Sequence, residues 1–212
     1  MRVAVSQRVA RVIERNEQRD ALDQRLIVWL AHAGALAYPV PNTLGGATTV
    51  SAWLSALEVE GIVLSGGEDI GVSPARDDTE RALLRHAQTE RLPVLGLCRG
   101  MQMLADFSGG VLARIPGHVD TQHTLHSAEG CELPLAVRSF HAWGLFECPA
   151  GFEILARAPD GSIEAIRHPG LCWEGWMWHP EREAVFGLRE LARLRTAFGV
   201  AARGGERRGN CQ

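Results

Sequence analysis

An apolar run at residues 93–97 leads directly into Cys98 and then into a helical pattern, and this feature most constrains the fold. Gly96 and Gly100 flank the cysteine, two residues before it and two after it. Small residues there let a strand and a helix approach closely around the strained backbone that exposes a nucleophile at a sheet edge. The positive end of the following helix favours a thiolate. The segment predicts a strand–turn–helix unit with a reactive cysteine; the alternative is a buried structural cysteine that happens to lie near glycines.

Two further segments supply what a thiolate nucleophile needs. His179 follows an apolar, aromatic run, so it falls at the end of a predicted strand, and Glu181 lies two residues beyond it. A histidine so placed can act as a general base, and the carboxylate can orient it. Upstream, residues 61–67 predict a buried strand that runs into a glycine turn. Such a turn can direct backbone N–H groups at a developing oxyanion.

Taken together, these segments resemble the class I glutamine amidotransferase-like family, and most closely its γ-glutamyl hydrolase branch, peptidase C26. The motifs that carry the resemblance are Cys-Arg-Gly-x-Gln at residues 98–102 and Trp-His-Pro-Glu at residues 178–181. They follow the glycine turn in the family's order, and the resemblance covers roughly residues 1–195. It implies an enzyme with a Cys98–His179–Glu181 triad that needs no cofactor.

The resemblance also implies a mechanism. Cys98 would attack a γ-glutamyl carbonyl and form a thioester, and His179 would protonate the leaving nitrogen and then activate water. The N–H groups of Gly67 and Arg99 would form the oxyanion hole. The residues expected to bind a small γ-glutamyl substrate are Gly66, Gln102, Ser139, Phe140, His141, Arg8, Arg19 and His118. At Trp143 the chain departs from the glutamine that hydrolases of this group often carry.

Three functions stay open. The N-terminal segments 6–8 and 17–23 are similar to hydrolases that release glutamate from a γ-glutamyl-CDP-amidate in capsule phosphoramidate biosynthesis. In that case Arg8, Arg19 and Arg25 would meet a diphosphate, the alternative being ordinary surface salt bridges. A glutaminase subunit that passes ammonia to a partner synthetase is the second function. A non-catalytic binding protein on the same fold is the third.

Composition excludes several other classes. All 22 basic residues are arginine, so P-loop, Schiff-base and kinase lysines are excluded. A net charge of −3 argues against nucleic-acid binding. The cysteine count is five, which is odd, and no pair of cysteines has metal-ligand spacing; this favours a reducing compartment and a single functional thiol. His118, His123 and His126 could ligate a metal, but without a helix to hold their spacing we expect a loop near the pocket mouth and no metal.

The predicted fold is α/β: a three-layer, flavodoxin-like sandwich with a mostly parallel central sheet, helices on both faces and a small antiparallel sheet in the second half. Residues 16–32 predict one long helix, and residues 133–137 predict a strand. We expect a single domain over residues 1–198 and a disordered tail at 199–212. No apolar stretch suits a signal peptide or membrane span, so we expect a cytoplasmic chain, which could form a homodimer.

Overall fold

The computed structural model describes residues 1–199, in which strands and helices alternate through the first half of the chain. That half contains β1 (Arg2–Ser6), β2 (Arg8–Val12), β3 (Glu17–Ala21), α1 (Gln24–His32), β4 (Leu36–Val40), α2 (Gly46–Ala56), β5 (Gly61–Leu64), α3 (Pro74–Glu90), β6 (Val94–Leu97) and α4 (Arg99–Phe107). The second half contains β7 (Ala113–Arg114), β8 (Val119–Thr124), β9 (His126–Ser127), β10 (Ala136–Phe140), β11 (Trp143–Gly144), β12 (Glu153–Arg157), β13 (Ile163–His168), β14 (Trp173–Trp176) and α5 (Leu188–Ala197). Short 3₁₀ turns occupy Ile13–Arg15 and Pro180–Arg182.

The main sheet has eight strands in the order β4-β1-β5-β6-β14-β13-β12-β9. The strands from β4 to β14 run parallel, and β13, β12 and β9 continue the sheet in antiparallel fashion. The pairs β2–β3, β7–β11 and β8–β10 form three small antiparallel sheets. The predicted α/β architecture is therefore confirmed. The parallel part follows from the β-α alternation, because a crossover helix must return the chain to the same sheet edge.

Two hydrophobic clusters cover the two faces of the sheet. Successive side chains of a strand point to opposite faces, so Ile62 and Leu64 of β5 belong to one cluster and Val63 to the other. Helices α2, α3 and α4 pack on the first face, whereas α1 and α5 pack on the second. The result is a three-layer sandwich whose parallel strands all end at the same edge.

The predicted helix over residues 16–32 is wrong in its first half, residues 16–23. Arg8–Val12 and Glu17–Ala21 pair as a β-hairpin, and Asn16 closes its turn in the left-handed conformation with φ 47°. The helix begins only at Gln24, after Asp23, whose carboxylate accepts the N–H of Arg25 as an N-cap. Residues 17–21 are polar and show neither helical nor strand periodicity, so pairing with Arg8–Val12 decides their structure.

The segment expected to be a loop over the histidine group is also a strand. Val119–Thr124 pairs antiparallel with Ala136–Phe140, so the strand predicted at 133–137 begins three residues later than expected. Val119–Thr124 is polar and exposed on both faces except at half-buried His123, so it lacks the apolar alternation that marks a strand in sequence.

Residues 200–212 lie outside the described residues. The disordered tail expected at 199–212 therefore stays a prediction for all of its residues except Gly199. Gly199 follows the C-terminal end of α5 with φ 62°. The single domain at 1–198 stays a prediction. Within residues 1–199, none of the helices combines the length and the apolar character that crossing a bilayer requires.

Candidate active site

Cys98 occupies the sharp turn between β6 and α4. Its φ of 51° and ψ of −105° are values that side-chain-bearing residues rarely adopt. A Cβ on Gly96 would lie 2.5 Å from the backbone of Gly100, and a Cβ on Gly100 would lie 2.2 Å from the carbonyl oxygen of Leu64. The two glycines therefore permit the close approach of α4 to β5 and β6. The turn places Cys98 at the carboxyl edge of the parallel strands, where open α/β sheets bind ligands.

His179 and Glu181 reach the same edge from the neighbouring strand. The N–H of Cys98 donates to the carbonyl oxygen of Trp176 at 2.7 Å, which joins the ends of β6 and β14. His179 lies three residues beyond that carbonyl and is buried. The 3₁₀ turn Pro180–Arg182 folds the chain back, so Oε1 of Glu181 lies 2.6 Å from Nδ1 of His179.

The proton affinity of His179 is set by opposing effects. Burial of the ring lowers its pKa, because a charged imidazolium loses solvation there. Hydrogen bonds to Cys98 and Glu181, together with electrostatic attraction to both groups, outweigh burial and raise the pKa of His179 to about 9. The imidazole is therefore protonated at neutral pH and stands ready to donate a proton.

The free energy of unfolding should depend on pH through this histidine. An unfolded histidine has a pKa of about 6.5, so the folded chain holds a proton that the unfolded chain releases. This contribution is fully present below about pH 6.5 and is lost as the pH rises through about 9. We expect the wild-type chain to lose on the order of a few kcal/mol more than His179→Gln across this range. Urea unfolding of both chains measures the difference, and parallel pH profiles would contradict it.

Gly66 makes room for the imidazole ring. A Cβ at this position would lie 2.4 Å from Cε1 of His179. The ring borders an open cleft formed between the ends of the strands, the β2–β3 hairpin and α1. Its lining includes Arg8, Asp23, Ser65, Gly66, Gly67, His179, Glu181 and Arg182. Arg182 was not anticipated from the sequence; its guanidinium lies 4.9 Å from the ring centre of Phe140.

A buried charge network supports the glycine turn from behind. Arg76 is fully buried, and its Nη2 donates to the carbonyl oxygens of Ser65 at 2.7 Å and Gly66 at 3.1 Å. Its Nε donates to Glu80 at 2.9 Å, while Glu80 also pairs with the guanidinium of Arg99. This network was not predicted from the sequence. Its only local signal is the i, i+4 spacing of Arg76 and Glu80 on a predicted helix, which is more often typical of a solvated pair.

The two predicted oxyanion donors lie at the two turns that meet at this edge. Arg99 is the first residue of α4, so its N–H has no partner within the helix. The carbonyl oxygen of Gly66 accepts from Arg76, and in a planar trans peptide the N–H of Gly67 points the opposite way, away from Arg76. The side chain of Arg99 does not face this edge; it is buried and pairs with Asp77 and Glu80.

The residues predicted to line the glutamyl pocket fall into two groups. Phe140 contacts the site directly, with its ring centre 6.0 Å from that of His179 in an edge-on arrangement. Gln102 is buried, and its Nε2 donates to the carbonyl oxygen of Trp143 at 2.8 Å, which fastens α4 to β11. The hydroxyl of Ser139 lies 2.6 Å from Nε2 of His123. Gln102 and Ser139 thus hold the wall of the pocket in place.

His118 and His141 turn toward a buried carboxylate that was not singled out from the sequence. Nδ1 of His118 lies 3.3 Å, and Nε2 of His141 lies 3.5 Å, from Oε1 of Glu164 in β13. His123 joins them, whereas His126 lies exposed in β9. The cluster joins residues in or beside three strands, β8, β10 and β13, which are far apart in sequence, so no local spacing could reveal it.

The three N-terminal arginines that were predicted to bind a diphosphate do not lie together. Arg8 lines the cleft beside His179. Arg19 lies in β3 and pairs with Glu17 at 2.8 Å on the exposed hairpin, and Arg25 pairs with Asp23 at 2.7 Å. The structure therefore brings Arg8 to the site and leaves Arg19 in a surface salt bridge.

Comparison with known proteins places the chain in a family. A family model of Peptidase C26 matches residues 3–181. A γ-glutamyl-CDP-amidate hydrolase of Campylobacter jejuni is 29% identical over 148 residues, which cover 67% of this chain and 71% of the relative. The glutamine-hydrolysing GMP synthase subunit of Methanocaldococcus jannaschii is 33% identical over 165 residues, which cover 72% of this chain and 78% of the relative.

A solved structure agrees at the level of the fold. The crystal structure of a GMP synthase subunit from Thermoplasma acidophilum matches with a TM-score of 0.69, covering 94% of this chain and 92% of the other. The two sequences are 19% identical, so this likeness concerns the fold alone. With the family model spanning most of its length, the chain belongs to the Peptidase C26 family of class I glutamine amidotransferase-like hydrolases.

Proposed function

We propose that this chain hydrolyses a γ-glutamyl amide through a thioester on Cys98. The observation that carries the proposal is the placement of His179: Oε1 of Glu181 lies 2.6 Å from its Nδ1, and the nearby Cys98 is one of the groups that raise its pKa. A nucleophile, a base and an orienting group in this order make up a catalytic triad. Each comes from a turn at the carboxyl edge of the sheet.

The proposed reaction has two halves. The sulfur of Cys98 attacks the side-chain carbonyl carbon, and the C–N bond then breaks as His179 protonates the leaving nitrogen. In the second half His179 takes a proton from water, whose oxygen attacks the thioester and releases glutamate. Glu181 keeps the Nδ1–H of His179 in place, so Nε2 faces the reacting atoms throughout.

The negative charge that develops on the substrate's carbonyl oxygen is stabilised by hydrogen-bond donors that are already in position. The N–H groups of Gly67 and Arg99 are the proposed pair, because neither has an acceptor in its own helix or turn that would compete. Arg76 supports one of them by holding the carbonyl of Gly66 on the opposite side of the peptide. Glu80 supports the other by anchoring the side chain of Arg99 beneath the start of α4.

Crowding Gly66 should impair turnover more than folding. A methyl group there would lie 2.4 Å from His179, so the ring must shift. We expect Gly66→Ala to lower kcat for γ-glutamyl hydrolysis by about 100-fold, because small displacements of a catalytic group cost that much. Gly170→Ala is the matched control, since its methyl group would lie 3.4 Å from the nearest atom. Equal activity of the two variants, measured by glutamate release, would contradict the proposed role of His179.

We further propose that the leaving group carries phosphate, as in γ-glutamyl-CDP-amidate, and that the reaction belongs to cytoplasmic capsule biosynthesis. Arg8 and Arg182 both line the cleft beside His179. Guanidinium groups bind phosphate oxygens in paired hydrogen bonds. Arg182 also lies 3.9 Å from Asp23 and 4.0 Å from Glu181, so Arg8 is the guanidinium more available to a phosphate. The name of the Campylobacter jejuni relative supports the same substrate class.

A second candidate is a glutaminase subunit that delivers ammonia to a partner synthetase. The relatives named as subunits of GMP synthase favour it. Such a protein would show negligible activity in isolation and would gain activity when mixed with its partner. A γ-glutamyl hydrolase needs no partner, so activity of the isolated chain separates the two.

A substrate panel tests the proposed function. The isolated chain is assayed for free glutamate with γ-glutamyl-CDP-amidate, a γ-glutamyl anilide and glutamine, using Cys98→Ser as the blank. We expect the phosphoramidate to react much faster than glutamine. Equal or reversed rates would remove the phosphoramidate proposal. Absence of glutamate release from every substrate, with folding intact, would remove the stand-alone hydrolase and favour a partner-dependent or non-catalytic protein.

Arg8 should distinguish charged from neutral leaving groups. We expect Arg8→Ala to lower kcat/KM for the phosphoramidate by about 10- to 100-fold, the effect of a lost charge-assisted hydrogen bond. Hydrolysis of a γ-glutamyl anilide, whose leaving group is neutral, should change little. Arg11→Ala serves as the control, because Arg11 is exposed on the same strand and does not line the cleft. Equal losses on both substrates would contradict a phosphate-binding role.

A further inference from the structure

Three histidines lie beside one carboxylate of β13: His123 in β8, His118 just before β8 and His141 just after β10. Glu164 is fully buried, and neither of its oxygens has a hydrogen-bond donor of good geometry among residues 1–199. Nitrogens of His118, His141 and His123 lie 3.3, 3.5 and 3.7 Å from its Oε1. A buried carboxylate without donors is costly, so something positive must compensate for it.

The outer hydrogen bonds of these rings fix which nitrogen faces inward. Nε2 of His118 lies 3.1 Å from a carboxylate oxygen of Asp160, and Nδ1 of His141 lies 3.0 Å from the carbonyl oxygen of Trp143. Neither partner can donate, so each of these ring nitrogens carries the proton. In the neutral rings Nδ1 of His118 and Nε2 of His141 are therefore lone-pair acceptors.

When both rings are neutral, three acceptors face one another at short range. Nδ1 of His118 and Nε2 of His141 are 3.3 Å apart, and both lie close to the Glu164 carboxylate. Two ligands of a tetrahedral Zn²⁺, each about 2.0–2.2 Å from the metal, are separated by about 3.3–3.6 Å. The measured triangle of 3.3, 3.3 and 3.5 Å matches that spacing. Metal-bound histidines also donate their outer N–H to a carboxylate or a backbone carbonyl, as these two do.

We propose that His118, His141 and Glu164 bind a Zn²⁺ ion, with Nε2 of His123 as the fourth ligand. His118, His123 and Glu164 can each place a ligand atom within 4.8 Å of the others. Nδ1 of His123 lies 3.1 Å from the carbonyl oxygen of Thr124, so its Nε2 is the acceptor of the ring. That lone pair now meets the hydroxyl of Ser139 at 2.6 Å, a bond that the ion would replace. The proposal departs from the sequence-based expectation of no metal.

The ion's role would be structural. It would tie the β8–β10 sheet to β13, and β10 carries Phe140, which packs against His179. His118, His141 and Glu164 are buried and His123 is half-buried, and none of the four lines the cleft beside His179. The metal would therefore set the position of the pocket wall and take no part in the chemistry. This inference does not depend on the proposed hydrolase activity.

Metal titration tests the site. The purified full chain, stripped with a chelator, is titrated with Zn²⁺, Co²⁺ and Mg²⁺ in the Cys98→Ala background, so that this thiol is not counted. We expect a single equivalent of Zn²⁺ to bind and raise Tm, Co²⁺ to give the visible absorption of a tetrahedral site, and Mg²⁺ to have no effect. His118→Gln and His123→Gln should weaken Zn²⁺ binding by at least about 10- to 100-fold. His126→Gln, an exposed neighbour in β9, should bind as the parent does.

Two results would overturn the proposal. One is a folded, stripped chain that binds neither Zn²⁺ nor Co²⁺, in which case protonated rings compensate for Glu164. The other is binding that His118→Gln and His123→Gln leave unchanged. Using two variants guards against misfolding of either one, and circular dichroism of each stripped chain confirms its fold. The hydrolase proposal would survive both results.

Discussion

Cys98→Ala should abolish glutamate release while leaving the fold intact. We expect kcat for the preferred γ-glutamyl substrate to fall by about 10⁴-fold or more, the usual cost of removing a triad nucleophile. The proposed thioester needs the Cys98 thiol beside His179, so neither higher substrate concentration nor higher pH should restore activity. The measurement is a coupled glutamate assay over several enzyme concentrations.

The chain offers a matched control for this experiment. Cys148 is an exposed free cysteine, and its thiol donates to the carbonyl oxygen of Phe152, away from the cleft. Cys148→Ala should retain the parent kcat. A Cys98→Ala chain with more than a small fraction of parental activity would show that the thiol is not the nucleophile. Equal losses in both variants would point to a general effect of removing a cysteine.

Glu80→Ala should be among the most destabilising single substitutions in the chain. Glu80 is fully buried, accepts from Ser6 at 2.7 Å and Arg76 at 2.9 Å, and pairs with Arg99. Removing its carboxylate leaves two buried guanidinium groups short of negative charge. Breaking a buried ion pair in this way costs about 3–5 kcal/mol of unfolding free energy.

Chemical denaturation measures that loss against a control on the same helix. Glu90 lies exposed at the end of α3, so Glu90→Ala should change the free energy of unfolding by about 0.5 kcal/mol or less. Glu80→Gln should fall between the two, because the amide keeps the hydrogen bond with Ser6 but not the charge. A Glu80→Ala chain as stable as Glu90→Ala would mean that Asp77 and Glu68 suffice to balance the two arginines.

The parts of the site that follow from local sequence were predictable. The turn at Cys98 needs only a strand, two close glycines and a helix, all within residues 93–104. The His179–Glu181 pair is likewise local, since one short turn returns the carboxylate to the ring. The parallel order of β1, β5 and β6 follows from their separation by helices.

What could not be predicted depends on partners distant in sequence. Residues 17–21 have an undecided pattern, and only pairing with Arg8–Val12 makes them a strand. The spacing of Arg76 and Glu80 is typical of a solvated ion pair on a helix. They are buried because the glycine turn and Arg99, both distant in sequence, pack against them. In the sequence, Glu164 is one polar residue of a predicted alternating strand. Its contacts with His118 and His141, which lie elsewhere in the sequence, could not be predicted from that pattern. Burial of a charge is a tertiary property, so no local pattern reveals it.

The central claim is that the sulfur of Cys98, activated by His179, reacts with a γ-glutamyl carbonyl. Labelling with the glutamine analogue 6-diazo-5-oxo-norleucine, followed by peptide mapping by mass spectrometry, tests it most directly. We predict a single modified residue, Cys98, with labelling slowed by a γ-glutamyl substrate and by His179→Gln. Labelling spread over Cys131 and Cys148, or a folded chain that takes up no label, would contradict the claim.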